Sequence, residues 1–321
     1  MSVIITVTFS PCIDKSFSVS ELIAEKKLRC GIPKTEPGGG GINVARVIRR
    51  LGGNAVAIYP SGGYTGKALD RMMAKEKVPV RSVKTENETR ENVIVLETST
   101  NKQFRFTMPA VDLKENEVKR ILDRIEEMGI VDFIVVSGSL PSTVRTNIFP
   151  QLSAIAERKN AKLVVDTSGE ALKMAVDQGV YLIKPNRSEL AALAGRNNLQ
   201  VVDIVQEARK IIKNKKCEII VVSLNAAGAV LITKDKNIKI TPPKVEVKST
   251  VGAGDSMVAG IVLALSRHYN IETAVEYGIA CGTAATLHPG TELCHKEDVE
   301  MLLMQIAPQS HRCFIADEQS I

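Results

Sequence analysis

The chain has 321 residues and a mass of 34.8 kDa, with 44% hydrophobic and 24% charged residues and a formal charge of +6 from 42 basic against 36 acidic side chains. These are the proportions of a globular chain able to bury a large core, and they exclude disorder and fibre. Aromatic residues are only 4% and tryptophan is absent, so a nucleic-acid binder's stacking platforms are missing and the mild basic excess fits a small anionic ligand. No apolar run reaches the roughly 18 residues of a membrane span, and the N-terminus lacks a signal-peptide pattern, so no membrane association and a cytoplasmic location are expected. The six cysteines form no CxxC pair and the four histidines no HExxH, so no structural zinc is expected.

In chain order, VIITVTF at 3–9 is an expected strand whose unbroken apolar character suits burial on both faces. Segment 12–36 interrupts the pattern, and an amphipathic helix follows at 41–51. A strand is expected at 54–60 and a helix at 65–76. Segment 89–108 interrupts again, with Val93 and Val95 alternating and then Phe104 and Phe106, the pattern of a hairpin. Beyond it, helices are expected at 114–128, 143–159, 186–195 and 201–214, between strands at 132–138, 161–168, 180–186 and 217–223. Alternating strands and helices give an α/β domain over 1–306, with a mainly parallel, doubly wound sheet. Segments 12–36 and 89–108 are read as a small β-lid beside it. A lid with an exposed apolar face is expected to pair with a second copy, making a homodimer. The tail, 307–321, has no period and is expected to fray.

Ligands bind such sheets at the carboxyl ends of the strands, and the unusual residues cluster in those loops. In STVGAGDSMVAGIVLAL (249–265) a glycine-rich turn opens a helix whose Met257, Val258, Ile261, Val262 and Leu265 share a face. Asp255 reads either as a simple N-cap or as a carboxylate beside bare amides that could hold a developing phosphoryl charge and take a hydroxyl proton. The glycines flanking Ala253 favour the second reading. Known phosphate loops do not match. A Walker A motif around Gly66-Lys67 would need glycine at Ser61 and Ser or Thr at Ala68, and GxGxxG would need glycine at Met257 or Asn43.

EPGGGGINVAR (36–46) is either a slack linker or a bare backbone beside Asn43 suited to a polyhydroxylated ligand. Asp14, at the end of the first strand, is a turn residue or an acceptor for the same hydroxyls. Lys27, Arg29, Arg90 and Arg105 lie in or near the lid segments, as solvated edge charges or as a joint clamp on a phosphate. In KPNRSEL (184–190), Asn186 and Glu189 form a helix cap or face a hydrated Mg²⁺.

The order and spacing of these motifs resemble the PfkB carbohydrate kinases of the ribokinase-like fold from residue 1 to about 306, and most nearly their 6-phosphofructokinase branch. EPGGGGINVAR is similar to the family's first signature and STVGAGDSMVAG to its second, with SGSLP, KPNRSE and SLNAAG between them. The resemblance implies a three-layer fold with a β-lid and an ATP- and Mg²⁺-dependent transfer to the sugar. Asp255 would be the base, and Gly252, Ala253 and Gly254 the anion hole. Asp14, Gly39, Gly40, Asn43 and Ser139 would hold the sugar, and Arg90, Arg105, Lys27 and Arg29 its existing phosphate. Lys184, Asn186, Ser223, Gly228 and Thr250 would meet the nucleotide, with Asn186 and Glu189 orienting Mg²⁺ through water. A K⁺ ion would sit against backbone oxygens of Val251, Ala285, His288, Gly290 and Glu292. Relatives acting on fructose 1-phosphate or tagatose 6-phosphate carry GGKG where this chain reads GGGG, so Gly40 points to fructose 6-phosphate. The alternatives are a kinase for one of those two sugars, or an idle sensor of sugar phosphate and nucleotide on the same scaffold.

Overall fold

Strands buried on both faces need helices over both, and a computed structural model, describing residues 3–144, 148–214 and 216–306, supplies them. The first half contains β1 (Ile4–Val7), β2 (Cys12–Val19), β3 (Lys34–Gly38), α1 (Gly40–Arg50), β4 (Ala55–Ile58), β5 (Pro60–Gly62), α2 (Gly63–Lys75), β6 (Val83–Thr85), β7 (Arg90–Glu97), β8 (Lys102–Phe106), α3 (Glu115–Glu126) and β9 (Phe133–Ser137). The second contains α4 (Ile148–Arg158), β10 (Lys162–Asp166), α5 (Gly169–Gln178), β11 (Val180–Ile183), α6 (Arg187–Leu193), α7 (Val201–Lys213), β12 (Cys217–Ser223), β13 (Ala229–Ile232), β14 (Asn237–Ile240), α8 (Ala253–Ser266), α9 (Ile271–Ala285) and α10 (Lys296–Ile306). The expected tail 307–321, and the part of the expected helix 143–159 at 145–147, lie outside the described residues.

The main sheet has eight strands in the order β14-β13-β12-β11-β10-β9-β1-β4, parallel from β4 to β12, with β13 and β14 antiparallel at one edge. Its period of two sorts the core into two layers. Phe133 and Val135 of β9 join α1, α2, α8, α9 and α10 on one face, while Ile134 and Val136 join α3 to α7 on the other. Full burial of such side chains contributes roughly 1.5–3 kcal/mol each, so both faces must be covered. Helix α8 departs from the one-faced reading, since every residue from Ser256 to Ala264 is buried. It lies between α1 and α9, and a helix enclosed on all sides carries apolar residues all round. Helix α9 was not legible, because its many small residues (ACGTAA) carry little hydrophobic contrast.

The expected strand 54–60 is two elements, because after Tyr59 the chain turns away to pair β5 with β6 in a separate small sheet. Segments 12–36 and 89–108 form a four-stranded sheet, β3-β2-β7-β8, in which two antiparallel hairpins are joined by the parallel pair β2–β7. Val93 opposes Phe106 and Val95 opposes Phe104, with Phe104, Phe106 and Met108 exposed. Among the described residues no helix is long and apolar enough to cross a membrane, and the five cysteines there are free.

Candidate active site

Helix α8 starts on Gly252, whose φ of 75° turns the chain sharply into the helix, and no side chain caps it. Asp255 is thus the third helical residue and not the N-cap. Its carboxylate faces outward to two neighbours. Asn43 Nδ2 donates to Oδ2 at 2.9 Å and Ser137 Oγ to Oδ1 at 3.4 Å. The first N–H groups of α8 have no acceptor within the helix, and with the helix dipole they form a pole for an anion beside that carboxylate. Burial pushes the half-buried Asp255 carboxyl up to about 7, and the Asp166 carboxylate adds to this, while Asn43, Lys184 and Ser137 act in the opposite direction.

Lys184 directly follows β11, with its ammonium 3.2 Å from Asp166 Oδ1 at the end of β10. The same ammonium lies 3.4 Å from the point where a Cβ on Gly254 would stand, placing the cation against the start of α8. Burial raises the Asp166 carboxyl; burial alone would lower the Lys184 amine, but the carboxylates of Asp166, Asp255 and Glu189 together more than offset it and hold the amine above its ordinary value. Asp166 and Ser137 sit in register at the ends of neighbouring strands. Neither was singled out from sequence, although a polar residue closing an apolar strand in a sheet of this kind is the available signal.

The glycine run meets the same point. A Cβ on Gly40 would stand 2.3 Å from Ser137 Oγ and 2.6 Å from the backbone N of Gly138, so α1 starts in close contact with the turn after β9. Gly39 caps α1, and the exposed Ser139 follows Gly138. In β2, buried Asp14 accepts from Asn92 Nδ2 at 2.9 Å and from Cys12 Sγ at 3.4 Å. Asn92, unremarked in the sequence, also accepts the Met108 N–H and so ties β2, β7 and the strand exit together.

The four basic candidates separate. Arg105 reaches across from β8 and donates to Thr250 Oγ1 at 3.1 Å, joining the lid to the turn before α8. Arg90 donates to the carbonyls of Met108 and of Ser10 in the connection between β1 and β2. Lys27 and Arg29 lie exposed in the connection between β2 and β3. On the opposite side, Asn186 and Glu189 form a reciprocal cap on α6: Glu189 N–H donates to Asn186 Oδ1 at 2.9 Å and Asn186 N–H to Glu189 Oε2 at 2.8 Å. The capping alternative is therefore realised in the structure, and burial raises the Glu189 carboxyl. Ser223 N–H donates to Pro185 O, and Gly228 closes the short turn into β13. Of the cation candidates, Val251 is brought near the 286–290 stretch, because Lys248 N–H donates to Thr286 O and Ser249 Oγ to Gly290 O. Ala285 ends α9, and the His288 and Glu292 side chains bond to Asp298, and to Lys34 and His295.

A fourth residue not found from sequence supports Asn43. Arg46, 1% exposed, bonds Glu76 Oε1 at 2.7 Å, Pro37 O at 2.9 Å and Asn43 Oδ1 at 3.3 Å, with Glu36 3.9 Å away. Its guanidinium thereby fixes which way the Asn43 amide points, so that Nδ2 faces Asp255. Replacing Arg46→Met leaves Glu36 and Glu76 without their buried cation, which is expected to destabilise the fold by about 3–5 kcal/mol. Chemical denaturation checks this, and a loss below about 1 kcal/mol would mean the network is solvent-screened.

A carboxylate tuned near neutrality, an ammonium and a helix pole converging on one point suit transfer of an anionic group to a hydroxyl, the work of a kinase. The pfkB family carbohydrate kinase model matches residues 7–298, and the chain belongs to that family, with its ribokinase-like fold. It is 41% identical over 300 residues to the ATP-dependent 6-phosphofructokinase isozyme 2 of Escherichia coli, covering 93% of this chain and 97% of the relative. The structure of E. coli phosphofructokinase-2 in complex with potassium superposes with a TM-score of 0.92 at 40% identity, covering 96% of this chain and 100% of that one. The complex of the same E. coli enzyme with fructose-6-phosphate gives 0.88 at 38%, with the same coverage.

Proposed function

We propose that this chain is an ATP-dependent 6-phosphofructokinase that phosphorylates the C1 hydroxyl of fructose 6-phosphate, giving fructose 1,6-bisphosphate in glycolysis. The observation that carries the reading is Asp255, held by Asn43 and Ser137 at the open pole of α8, with a carboxyl near 7. Asp255 takes the C1 hydroxyl proton as the oxygen attacks, and the leading N–H groups at Gly252, Ala253 and Gly254 hold the charge on the transferred group. Lys184 steadies the departing phosphates from the other side. Asp14, Gly39, Asn43 and Ser139 position the sugar, and Gly40, where any side chain would strike Ser137, keeps the pocket in the form suited to fructose 6-phosphate. Arg105 exchanges Thr250 for the sugar's phosphate, with Arg90, Lys27 and Arg29 completing the basic side. Ser223, Gly228 and Thr250 border the nucleotide.

Asp166, Glu189 and Asp255 bring three carboxylates within electrostatic reach of the Lys184 ammonium. That excess of negative charge fits Mg²⁺, which accepts few carboxylates and keeps its waters; contact through water leaves the Asn186–Glu189 cap intact. When bound with ATP, Mg²⁺ would neutralise phosphate charge. Backbone oxygens near Val251, Ala285, His288, Gly290 and Glu292 suit K⁺, and potassium in the E. coli relative supports that assignment. The exposed Phe104, Phe106 and Met108 support a homodimer through the lid, and the free cysteines suit the cytoplasm.

Coupled ADP release with Mg-ATP and K⁺ tests the reading. The expected result is a kcat/KM for fructose 6-phosphate at least about tenfold above tagatose 6-phosphate, fructose 1-phosphate or ribose, a difference of about 1.4 kcal/mol in transition-state binding. Another preferred sugar would overturn the role of Gly40. Tight sugar-phosphate binding without ADP release would make the protein a sensor.

A further inference from the structure

The loop between α9 and α10, residues 286–295, gathers metal-ligating side chains that phosphoryl transfer does not use. His288, Glu292 and His295 each offer one ligand atom, and all three atoms lie within 4.8 Å of one another. The two imidazole rings are 4.2 Å apart between centroids, and His295 Nε2 is 3.1 Å from Glu292 Oε1. The spacing is H-x₃-E-x₂-H in a loop, neither CxxC nor HExxH, so the patterns that excluded a zinc site pass over it.

We propose that His288, Glu292 and His295 form a binding site for one divalent transition metal of the zinc class, held by side chains, whereas the K⁺ position suggested in the same loop uses backbone oxygens, those of His288 and Glu292 included. The donor set selects the metal. Two imidazoles and one carboxylate suit zinc-class ions, whereas Mg²⁺ and K⁺ seek oxygen. Nitrogen and oxygen ligands at about 2.0–2.1 Å in tetrahedral array stand about 3.3–3.4 Å apart. The His295–Glu292 pair, at 3.1 Å, is close to that spacing, and side-chain rotation in these half-exposed residues supplies the remainder.

The surroundings supply the outer contacts that such sites use. Asp298 Oδ2 lies 2.7 Å from His288 Nε2. A carboxylate on one ring nitrogen fixes the tautomer and leaves the other nitrogen's lone pair for the metal. Lys34 bonds Glu292 Oε2 at 2.8 Å, while Oε1 stays turned to His295. Lys34 also sets a limit, because its charge opposes a second cation nearby and holds the affinity below that of a closed structural site.

Occupancy would be felt at the kinase centre. The same loop accepts Ser249 Oγ at Gly290 O, accepts Lys248 N–H at Thr286 O, and packs Leu293 over Gly252, the residue that caps α8. Thr291 Oγ1 donates to Glu36 Oε2 at 2.8 Å, and Glu36 in turn faces Arg46. A metal pinning positions 288, 292 and 295 stiffens the segment that carries all four contacts, so it regulates the turn holding the transferred group.

Only this kinetic consequence rests on the proposed function; binding does not. The test is calorimetric titration of zinc chloride into the full chain after chelator treatment, with metal content counted per chain after desalting. The expected result is one zinc ion per chain, weakened at least about 100-fold by His295→Gln and by H288A/H295A, and about 10- to 100-fold by Asp298→Asn. Circular dichroism confirms that each variant is folded; His295→Gln keeps size and polarity should the double variant fail. Absence of zinc binding, binding unchanged in the variants, or displacement of zinc by an equal concentration of Mg²⁺ would each overturn the site. Zinc-loaded and zinc-free enzyme are expected to differ at least about twofold in kcat/KM with fructose 6-phosphate, about 0.4 kcal/mol. Stoichiometric binding with identical kinetics would overturn the coupling, and a folded, zinc-binding chain without sugar kinase activity would count against the proposed function alone.

Discussion

Replacing Asp255→Asn is expected to lower kcat by about 10²- to 10⁴-fold, the usual contribution of a positioned general base, and to raise thermal stability. The variant keeps the shape and the bond from Asn43 but cannot take the hydroxyl proton. In the native enzyme the base must be ionised, so kcat/KM is expected to fall as pH drops through about 7, the value to which burial pushes this carboxyl. Stability runs the other way. The folded chain keeps the Asp255 proton up to about 7 whereas the unfolded chain loses it near 3.8, so between those values the folded state binds more protons and loses stability as pH rises. The full penalty, at most about 4 kcal/mol at about 1.4 kcal/mol per unit and less because the carboxyl opens on a cleft, is in force above pH 7. Asparagine removes it. At about pH 8 the variant's Tm is expected to rise by several degrees, at about 2–4 °C per kcal/mol, and the gain should vanish by about pH 4. Activity within threefold of the native enzyme, or an unchanged acid limb, would remove Asp255 from the role of base.

Gly40→Ala is expected to lower kcat/KM by about 10²-fold and stability by about 1–3 kcal/mol. The added methyl would stand 2.3 Å from Ser137 Oγ, 2.6 Å from Gly138 N and 2.7 Å from Ser137 C, two of which are backbone atoms that no rotamer change can move aside. Relief requires α1 or the turn after β9 to move by roughly 0.5–1 Å to restore ordinary contact. Both carry groups that hold Asp255, Asn43 on one side and Ser137 on the other, so the displacement reaches the base directly. Gly129→Ala is the control, since a Cβ there meets nothing within 4 Å and the change is expected to stay within about 0.5 kcal/mol. Initial-rate kinetics and thermal melts on the two variants decide it. Native-like kinetics for Gly40→Ala would mean that the glycine run has slack the structure does not show.

The main sheet was legible because its strands are continuous apolar runs, and a run buried on both faces announces itself. Helix boundaries were legible where a charged face alternates with an apolar one, as in α7, expected at 201–214 and found at Val201–Lys213. Contrast failed where packing is made of small residues, as in α9 against α8, and where the chain turns after Tyr59 into β5. At the site, glycine and helix-start chemistry mark Asp255 and Asn43, whereas Lys184 came only from the family resemblance. Asp166, Ser137, Asn92 and Arg46 were not located, since each acts through a partner distant in sequence: Arg46 meets Glu76, and Asn92 meets Asp14. Asn186 and Glu189 show the limit from the other side, where one spacing serves both a helix cap and a hydrated metal.

The central pairing of the lid, Cys12 with Arg90 through Val19 with Glu97, is parallel and joins residues 78 positions apart, whereas each flanking hairpin closes locally. Loop-closure entropy must be met before such a pairing returns any contact energy, which makes it a slow event in folding. A chain synthesised at about 5–20 residues per second carries β2 without its parallel neighbour for about 4–16 seconds. During that interval the residues around Asp14 present an open strand edge, guarded on one side only by β3. The sugar-binding face proposed around Asp14 is thus assembled from pieces that meet late, and chain length between β2 and β7 sets how long the half-made lid must avoid other chains.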